Sequence, residues 1–356
     1  MILKRLRLQN FRNYTQKEFS FSDGTTLIVG PNTAGKTNLL EAIYLLASGK
    51  SFRAGLESEM IAYEQQLGRL KGRVNKAGEI ADLEIILTRG EVAGEKVAKK
   101  KYLVNGVGKR MIDFLGFLRA VYFGPEDLAL ITNSPSLRRK YLDMVLSQLD
   151  REYIRCSLSY EKGLRQRNRL LERIRDEGLP AGRQGAPRSQ LVFWDQLLIK
   201  NGTYLTQSRE EFINFVNGQT SSTFPFSLTY DKSVISPARI EEYAQEEVAA
   251  AATLVGPHRD DFAFWLKERD LHAFGSRGEQ RMAILWLKLG ELEFISSKTK
   301  DRPVFLLDDI FSELDEGHRK LVLEIIPQQQ TIITTTDLRL VEKNYQKKME
   351  MIELNL

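Results

Sequence analysis

Eight consecutive residues, Gly30-Pro31-Asn32-Thr33-Ala34-Gly35-Lys36-Thr37, fit the pattern GxxxxGK[ST]. Such a run sets backbone N–H groups and a helix N-terminus against phosphates. Lys36 adds a point charge for the β- and γ-phosphates, and Thr37 offers a hydroxyl oxygen to Mg²⁺. Far downstream, Asp308-Asp309 follow the apolar run Val304-Phe305-Leu306-Leu307. Carboxylates at the C-terminal edge of a parallel sheet face the crevice where a phosphate loop lies. Asp308 is expected to hold Mg²⁺ or its water, and Asp309 to take a proton from an attacking water. A third stretch, Phe274-Gly275-Ser276-Arg277-Gly278-Glu279-Gln280, reads as the start of a helix. Ser276 there can donate to a phosphate, Gly278 permits close approach, and the helix dipole favours negative charge. The same residues fit an ordinary N-cap with Glu279 at its third position; their spacing to Asp308 favours the phosphate role. Together the three stretches imply an ATPase whose site closes only when two copies meet. The loop by itself does not choose between ATP and GTP.

These residues need a scaffold. Thr25–Val29 is a β-rich run stopping at Gly30, and Leu39, Leu40, Ile43, Leu46 and Ala47 recur at helical spacing. That is strand, loop, helix, the context a phosphate loop requires. Ile2 to Leu8 alternates apolar and basic residues, as a strand does. From about 67 to 123 short strands are expected, among them Leu83–Leu87 and Tyr102–Val104, the latter ahead of the hairpin turn Asn105-Gly106. The lysine-rich run at 96–101 is expected in solvent. From about 136 to 217 the period is helical. One helix is expected from Arg151 to about Asp176 and a second from Leu191 to about Val216, a hairpin whose breaker-rich tip at 178–187 is expected to be mobile. Beyond about 253 the α/β pattern returns. A helix of roughly 20 residues follows Gly275, a strand covers Val304–Leu307, a helix covers 316–326 and a last clear strand Thr331–Thr334. The expected plan is an α/β domain built from 1–125 and 251–356, interrupted by a helical arm at 126–250.

Composition agrees with a soluble globular protein: 356 residues, 42% hydrophobic and 28% charged. Apolar runs fall far short of the ~20 residues a membrane span needs, so no membrane partner is expected. Met1-Ile2-Leu3-Lys4-Arg5 does not open a signal peptide. The one cysteine, Cys156, rules out an intrachain disulfide, fits a cytoplasmic location and is expected to be an inert buried thiol. Three scattered histidines, His258, His272 and His318, make a zinc site unexpected. A net charge of +5 permits a nucleic-acid partner. Arg165, Arg167, Arg169, Arg173 and Arg175 give the hairpin a basic character, but Glu161, Glu172, Asp176 and Glu177 interleave, so most are expected on a solvated face.

Gly30–Thr37, Ser276–Gln280, Asp308-Asp309 and Ser312-Glu313-Leu314-Asp315 resemble the Walker A, signature, Walker B and D-loop of ABC-type ATPases. Leu8-Gln9-Asn10-Phe11-Arg12-Asn13-Tyr14 is similar to the opening of SMC-like heads. Phe123–Leu128, Ser134–Arg139, Gly256-Pro257-His258-Arg259-Asp260-Asp261 and Thr334–Leu338 narrow the resemblance, across nearly the whole chain, to the RecF family of bacterial recombination mediators. The resemblance implies an α/β ABC-ATPase head with a mixed β-sheet core and an inserted α-helical arm. It implies ATP and Mg²⁺ as cofactors and a weak, DNA-dependent ATPase activity. Gly30, Pro31, Asn32, Thr33, Ala34, Gly35, Lys36, Thr37 and Asn38, with Arg12 and Asn13, are the implied nucleotide-binding residues. Lys36 and Asp309 are the implied catalytic residues, and Thr37 and Asp308 the implied metal ligands. Ser276, Arg277, Gly278, Glu279 and Gln280 are implied to act in trans, beside the D-loop Asp315.

A homodimer formed on ATP binding is then expected to clamp DNA, duplex and single-strand/duplex junctions, between heads and arms. Slow hydrolysis is expected to release it. RecR and RecO as partners, loading of RecA at gaps and a place in the SOS response are implied by the resemblance alone. Asp309 stands where transporters carry Glu, the switch histidine is replaced near Thr336 or Asp337, and Gly124-Pro125-Glu126 lies where a Q-loop glutamine is expected. These departures suit a slow, timer-like enzyme. His258 and Arg259 are expected near the nucleotide, and Lys50–Arg53 beside the loop. The alternative is an ATP-coupled nuclease or other P-loop phosphotransferase.

Overall fold

A computed structural model describes residues 1–76, 78–177 and 186–354; the breaker-rich segment 178–187 falls largely outside the described residues. The chain divides into two compact units. One comprises Met1–Leu128 and Ser276–Leu356, the other Ala129–Gly275.

The first unit holds two sheets of opposite character. A five-stranded sheet is parallel throughout, in the order Ala120–Phe123, Val304–Asp308, Thr331–Thr335, Thr25–Val29, Glu350–Glu353. Its inner strands are near-continuous apolar or Thr-rich runs and are buried along their length, as strands covered on both faces must be. The helices Lys36–Ser48 and Arg277–Thr299 pack on this sheet. The first is buried over most of its circumference, which explains its weak amphipathic pattern. A six-stranded sheet is antiparallel throughout, in the order Tyr14–Ser20, Ile2–Phe11, Leu67–Lys76, Glu79–Thr88, Lys100–Val104, Val107–Lys109. Here the residues alternate: Leu3, Leu6, Leu8, Leu70, Val74, Leu83, Ile85 and Leu87 face inward, while Arg5, Arg7, Arg69, Lys71 and Arg73 face solvent. The mixed α/β character read from the sequence is thus divided between two sheets, each pure in direction. Asn105 (φ 51°) and Gly106 (φ 78°) close the expected hairpin by pairing Val104 with Val107.

The second unit is built on helices Pro135–Ser147, Arg151–Asp176 and Ala186–Asn217, with a three-stranded antiparallel sheet of Phe226–Asp231, Asp261–Leu266 and Arg269–Asp270. Asp150 caps the second helix by accepting from the Glu152 N–H at 2.8 Å. A Cβ at Gly163 would lie 2.6 Å from Leu197, so the bare backbone there lets the two long helices approach. The unit runs on to Gly275, beyond the boundary expected at residue 250, because Asp261–Leu266 pairs along its whole length with Phe226–Asp231. Periodicity carries no information about such a long-range register.

Charged residues are buried inside this unit in connected sets. Arg209 bonds Asp143 (2.8 Å), Asp260 (2.9 Å) and the Pro257 carbonyl (2.7 Å). Arg138 pairs bidentately with Asp261, and Arg139 reaches the Asp260 carbonyl. Arg167 is not on the solvated face with its neighbours; it is buried against Asp195, Glu247 and Thr253. His258 belongs here as well: it meets the Tyr160 hydroxyl at Nδ1 (2.8 Å) and the Thr253 carbonyl at Nε2 (3.0 Å). The 256–261 and 134–139 segments that stand out in the sequence are therefore joints of the second unit.

Candidate nucleotide site

The strand Thr25–Val29 delivers the phosphate loop at the C-terminal edge of the parallel sheet, and the helix Lys36–Ser48 leaves it. Thr33 (φ 78°) and Gly35 (φ 94°) both take left-handed backbone, which turns the loop. Two glycines are fixed by their neighbours. A Cβ on Gly30 would lie 2.7 Å from the Leu354 carbonyl oxygen, and one on Gly35 would lie 2.6 Å from the Asn13 amide. The Tyr14 hydroxyl donates to the Gly35 carbonyl at 3.1 Å, and the Asn38 amide donates to Asn13 at 2.6 Å.

Asn32, Thr33, Gly35, Lys36, Thr37 and Asn38 line a cleft of about 340 Å³ whose other walls are Asp308, Asp309, Arg53, Pro125 and Glu126. The structure thus brings the loop and both aspartates together. Lys36 is buried and its ammonium donates to the Gly30 (2.7 Å) and Pro31 (2.9 Å) carbonyls. Burial pulls its pKa down, against the opposing charges of Asp309 and Asp308. Asp308, on the last position of its strand, accepts from the Thr334 hydroxyl at Oδ1 (2.7 Å). Asp309 adopts left-handed backbone (φ 50°), a strained choice for a residue with a Cβ. Its Oδ2 accepts from Ser312 (3.1 Å), while Oδ1 is buried with no hydrogen-bond partner. A buried carboxylate oxygen left open beside a phosphate loop is suited to receive a proton or a water. The oxygens of Asp308 and Thr37 are hard donors on walls of one cleft, a set that fits Mg²⁺ sharing its shell with phosphates and water.

Five expected nucleotide-binding residues, Arg12, Asn13, Gly30, Pro31 and Ala34, are not among its walls. Arg12 is committed to Glu41 through two bonds (2.8 and 2.7 Å) and to the Glu59 carbonyl, and Asn13 stands behind Gly35. Glu41 is fully buried and also binds Arg53 and Ser51. Burial alone would raise its pKa, but the Arg12 and Ser51 hydrogen bonds and the two guanidinium charges hold it below the usual range. Glu41 so fixes Arg53 at the cleft wall. Gly30 and Pro31 serve through their carbonyls to Lys36, and Ala34 lies buried under the loop.

From sequence Tyr122 carries no assigned role, and Glu126 is placed only where a Q-loop glutamine is expected. Tyr122 Oη lies 2.8 Å from Glu126 and 3.2 Å from Asp308 Oδ2. Burial, then the charges of Asp308 and Glu126, push this phenol far above its ordinary pKa, so it stays a donor. A tyrosine inside an apolar strand looks like core, and only the backbone approach of Gly124 betrays it.

Ser276, Arg277, Gly278 and Glu279 lie outside the cleft wall, at the N-terminus of the 23-residue helix Arg277–Thr299. They form a capping box: Ser276 Oγ accepts from the Glu279 N–H (3.3 Å) and Glu279 accepts from the Ser276 N–H (2.8 Å). A Cβ on Gly278 would meet nothing within 4 Å, so the helix start presents an open face. Gln280, the next residue, is buried. Arg281 ties this helix to Glu313, two residues before Asp315, which caps the helix Glu316–Ile325 and bonds His318.

The profile of the RecF/RecN/SMC N terminal domain family matches residues 2–354. An Smc head bound to the C-winged helix domain of ScpA superposes with a TM-score of 0.51 at 17% identity, covering 96% of this chain and 91% of that one; it shares the fold. Fold and site together define an ABC-type ATPase head of the SMC-like class. DNA replication and repair protein RecF of Herpetosiphon aurantiacus is 39% identical over 95% of this chain and 94% of its own. RecF of Bacillus thuringiensis strain Al Hakam is 34% identical over 99% and 97%. The structure of the recombination mediator protein RecF with ATP superposes with a TM-score of 0.84 at 32% identity, covering 96% of this chain and 93% of that one. The chain belongs to the RecF family of ATP-binding DNA replication and repair proteins.

Proposed function

We propose that ATP joins two copies of this chain, each phosphate loop being closed by the Ser276–Gln280 segment of the other, and that the joined pair clamps DNA near single-strand/duplex junctions. The observation that carries this reading is the separation within one unit: loop and aspartates line the cleft, while the open start of the helix Arg277–Thr299 does not. A reciprocal contact of this kind suits a two-fold dimer. Lys36, with the loop backbone from Gly30 to Asn38, holds the phosphates. Thr37 and Asp308 hold Mg²⁺, which draws charge off the phosphates. Asp309 takes the proton of the attacking water, and Asp315 lies at the joint. Slow, DNA-stimulated hydrolysis then parts the copies and frees the DNA. Action with RecR and RecO, and help in loading RecA at gaps, extend the reading by analogy with the RecFOR pathway of the solved relative.

The antiparallel sheet supports a polyanionic partner. Arg5 stands directly opposite Arg73, and Arg7 opposite Lys71. Like charges so placed destabilise a sheet. Five outward cations, Arg5, Arg7, Arg69, Lys71 and Arg73, share three carboxylates, Glu18, Glu84 and Asp82. A phosphate backbone would offset the excess.

Light scattering tests the reading, with no nucleotide, with ADP, and with ATP on the Asp309→Asn variant. A dimer only with ATP, lost on Ser276→Arg, is the expected outcome. A monomer in all three states sinks it.

A further inference from the structure

One hydroxyl in the first unit stands between two carboxylates. Tyr122 Oη is 2.8 Å from Glu126 Oε2 and 3.2 Å from Asp308 Oδ2, and the residue is 2% exposed. A phenol has one proton to donate, and both carboxyl groups lie within its reach. Three features hold the hydroxyl there. The ring stacks on Phe52 with centroids 3.8 Å apart and planes at 14°. It meets Tyr44 with centroids 6.1 Å apart. Gly124 gives the space: a Cβ there would lie 2.1 Å from the hydroxyl oxygen, so a side chain would force the hydroxyl to shift from its place. Phe52 itself directly precedes Arg53 of the cleft wall, and Glu126 is on that wall.

Asp308 is thereby gripped from both sides. Thr334 holds Oδ1 at 2.7 Å and Tyr122 approaches Oδ2. A carboxylate with both oxygens hydrogen-bonded cannot rotate, which is what a ligand to a geometrically demanding cation requires.

We propose that Tyr122 is a positioning residue for the divalent cation of the nucleotide, its hydroxyl donating to Asp308 Oδ2 opposite the Thr334 hydroxyl on Oδ1 and so fixing the carboxylate. The inference rests on the reading of Asp308 as a cation ligand.

The test is ATP affinity by calorimetry on the full chain, with excess EDTA and with MgCl₂, all in the Asp309→Asn background so that turnover does not intrude. The background protein should bind ATP more tightly with Mg²⁺. Tyr122→Phe keeps the ring and its stack and removes only the hydroxyl. It should lose about tenfold in the Mg²⁺ arm and leave the EDTA arm within about twofold. A merely structural role would weaken both arms alike, and that result overturns the proposal, as does an unchanged Mg²⁺ arm. If Tyr122→Phe fails to fold, Gly124→Ala, which keeps the hydroxyl and denies it its place, is expected to give the same selective loss. No Mg²⁺ effect in the background protein would overturn the cation reading of Asp308 itself, a failure distinguishable from that of Tyr122 alone.

Discussion

The nucleotide cleft and the interior of the second unit both gather charge, and they treat it oppositely. Around Arg209 each charged group meets its complement: Asp143, Asp260 and the Pro257 carbonyl surround the guanidinium. In the cleft, among the described residues, Lys36 donates to backbone carbonyls of its own loop and Asp309 keeps a buried oxygen without a hydrogen bond. The first arrangement spends its charge on the fold. The second keeps charge in reserve for something that arrives from outside. Distinctive sequence is therefore a poor guide to chemistry, since 256–261 is as recognisable as 30–37 yet serves as a joint.

The largest effect should come from breaking the satisfied set. Arg209→Leu leaves the buried Asp260 and the half-buried Asp143 without their cation, and should cost about 3–5 kcal/mol. Urea denaturation followed by circular dichroism would show it, and a loss under about 1 kcal/mol would remove the contrast drawn here. Lys36→Ala should do the reverse. Stability should change by less than about 1 kcal/mol, because no carboxylate loses a bonded partner. ATP affinity should fall on the order of a hundredfold, read by nucleotide titration. A variant that loses both, or neither, would erase the distinction between the regions.

The smaller effect is one of pH. Burial, ahead of the charges of Arg259 and Arg139, lowers the His258 pKa to about 4. Its Nδ1 receives the Tyr160 hydroxyl, so protonation removes an acceptor. The folded state then binds fewer protons than the unfolded one, and stability is fully present above about pH 6.5 and falls as pH drops toward 4. The loss should reach roughly 2–3 kcal/mol across that window. Denaturation midpoints of the wild type and His258→Gln between pH 7 and 4 check it; parallel curves would show that His258 carries none of the dependence.

Much of this was legible in the residues. The phosphate loop announces itself through local pattern, as do the helix Arg151–Asp176 and the strand Thr25–Val29, because 3.6- and 2-residue periods are short-range signals. Tyr122, Phe52 and Glu126 were not legible as a group. Tyr122 lies in an apolar strand that reads as core, Phe52 in a basic segment beside the loop, and the meeting of Tyr122 with Asp308 depends on a strand pairing parallel to Val304–Asp308 from far along the chain. Arg167 among its exposed neighbours shows the same limit. Charge spacing on a helix says which residues share a face, and not which face is covered.

The edge strand Glu350–Glu353 lies parallel beside Thr25–Val29, and Leu354 donates to the Val29 carbonyl while its own carbonyl crowds Gly30. The strand that carries the phosphate loop is thus flanked by Thr331–Thr335 on one side and by this late strand on the other. On the ribosome the loop emerges roughly 300 residues ahead of the strands that flank it. At ordinary rates of synthesis ~15–60 s separate them. In that interval the chain carries the residues for ATP without the sheet that shapes them, and the capacity to bind nucleotide waits on the late strands.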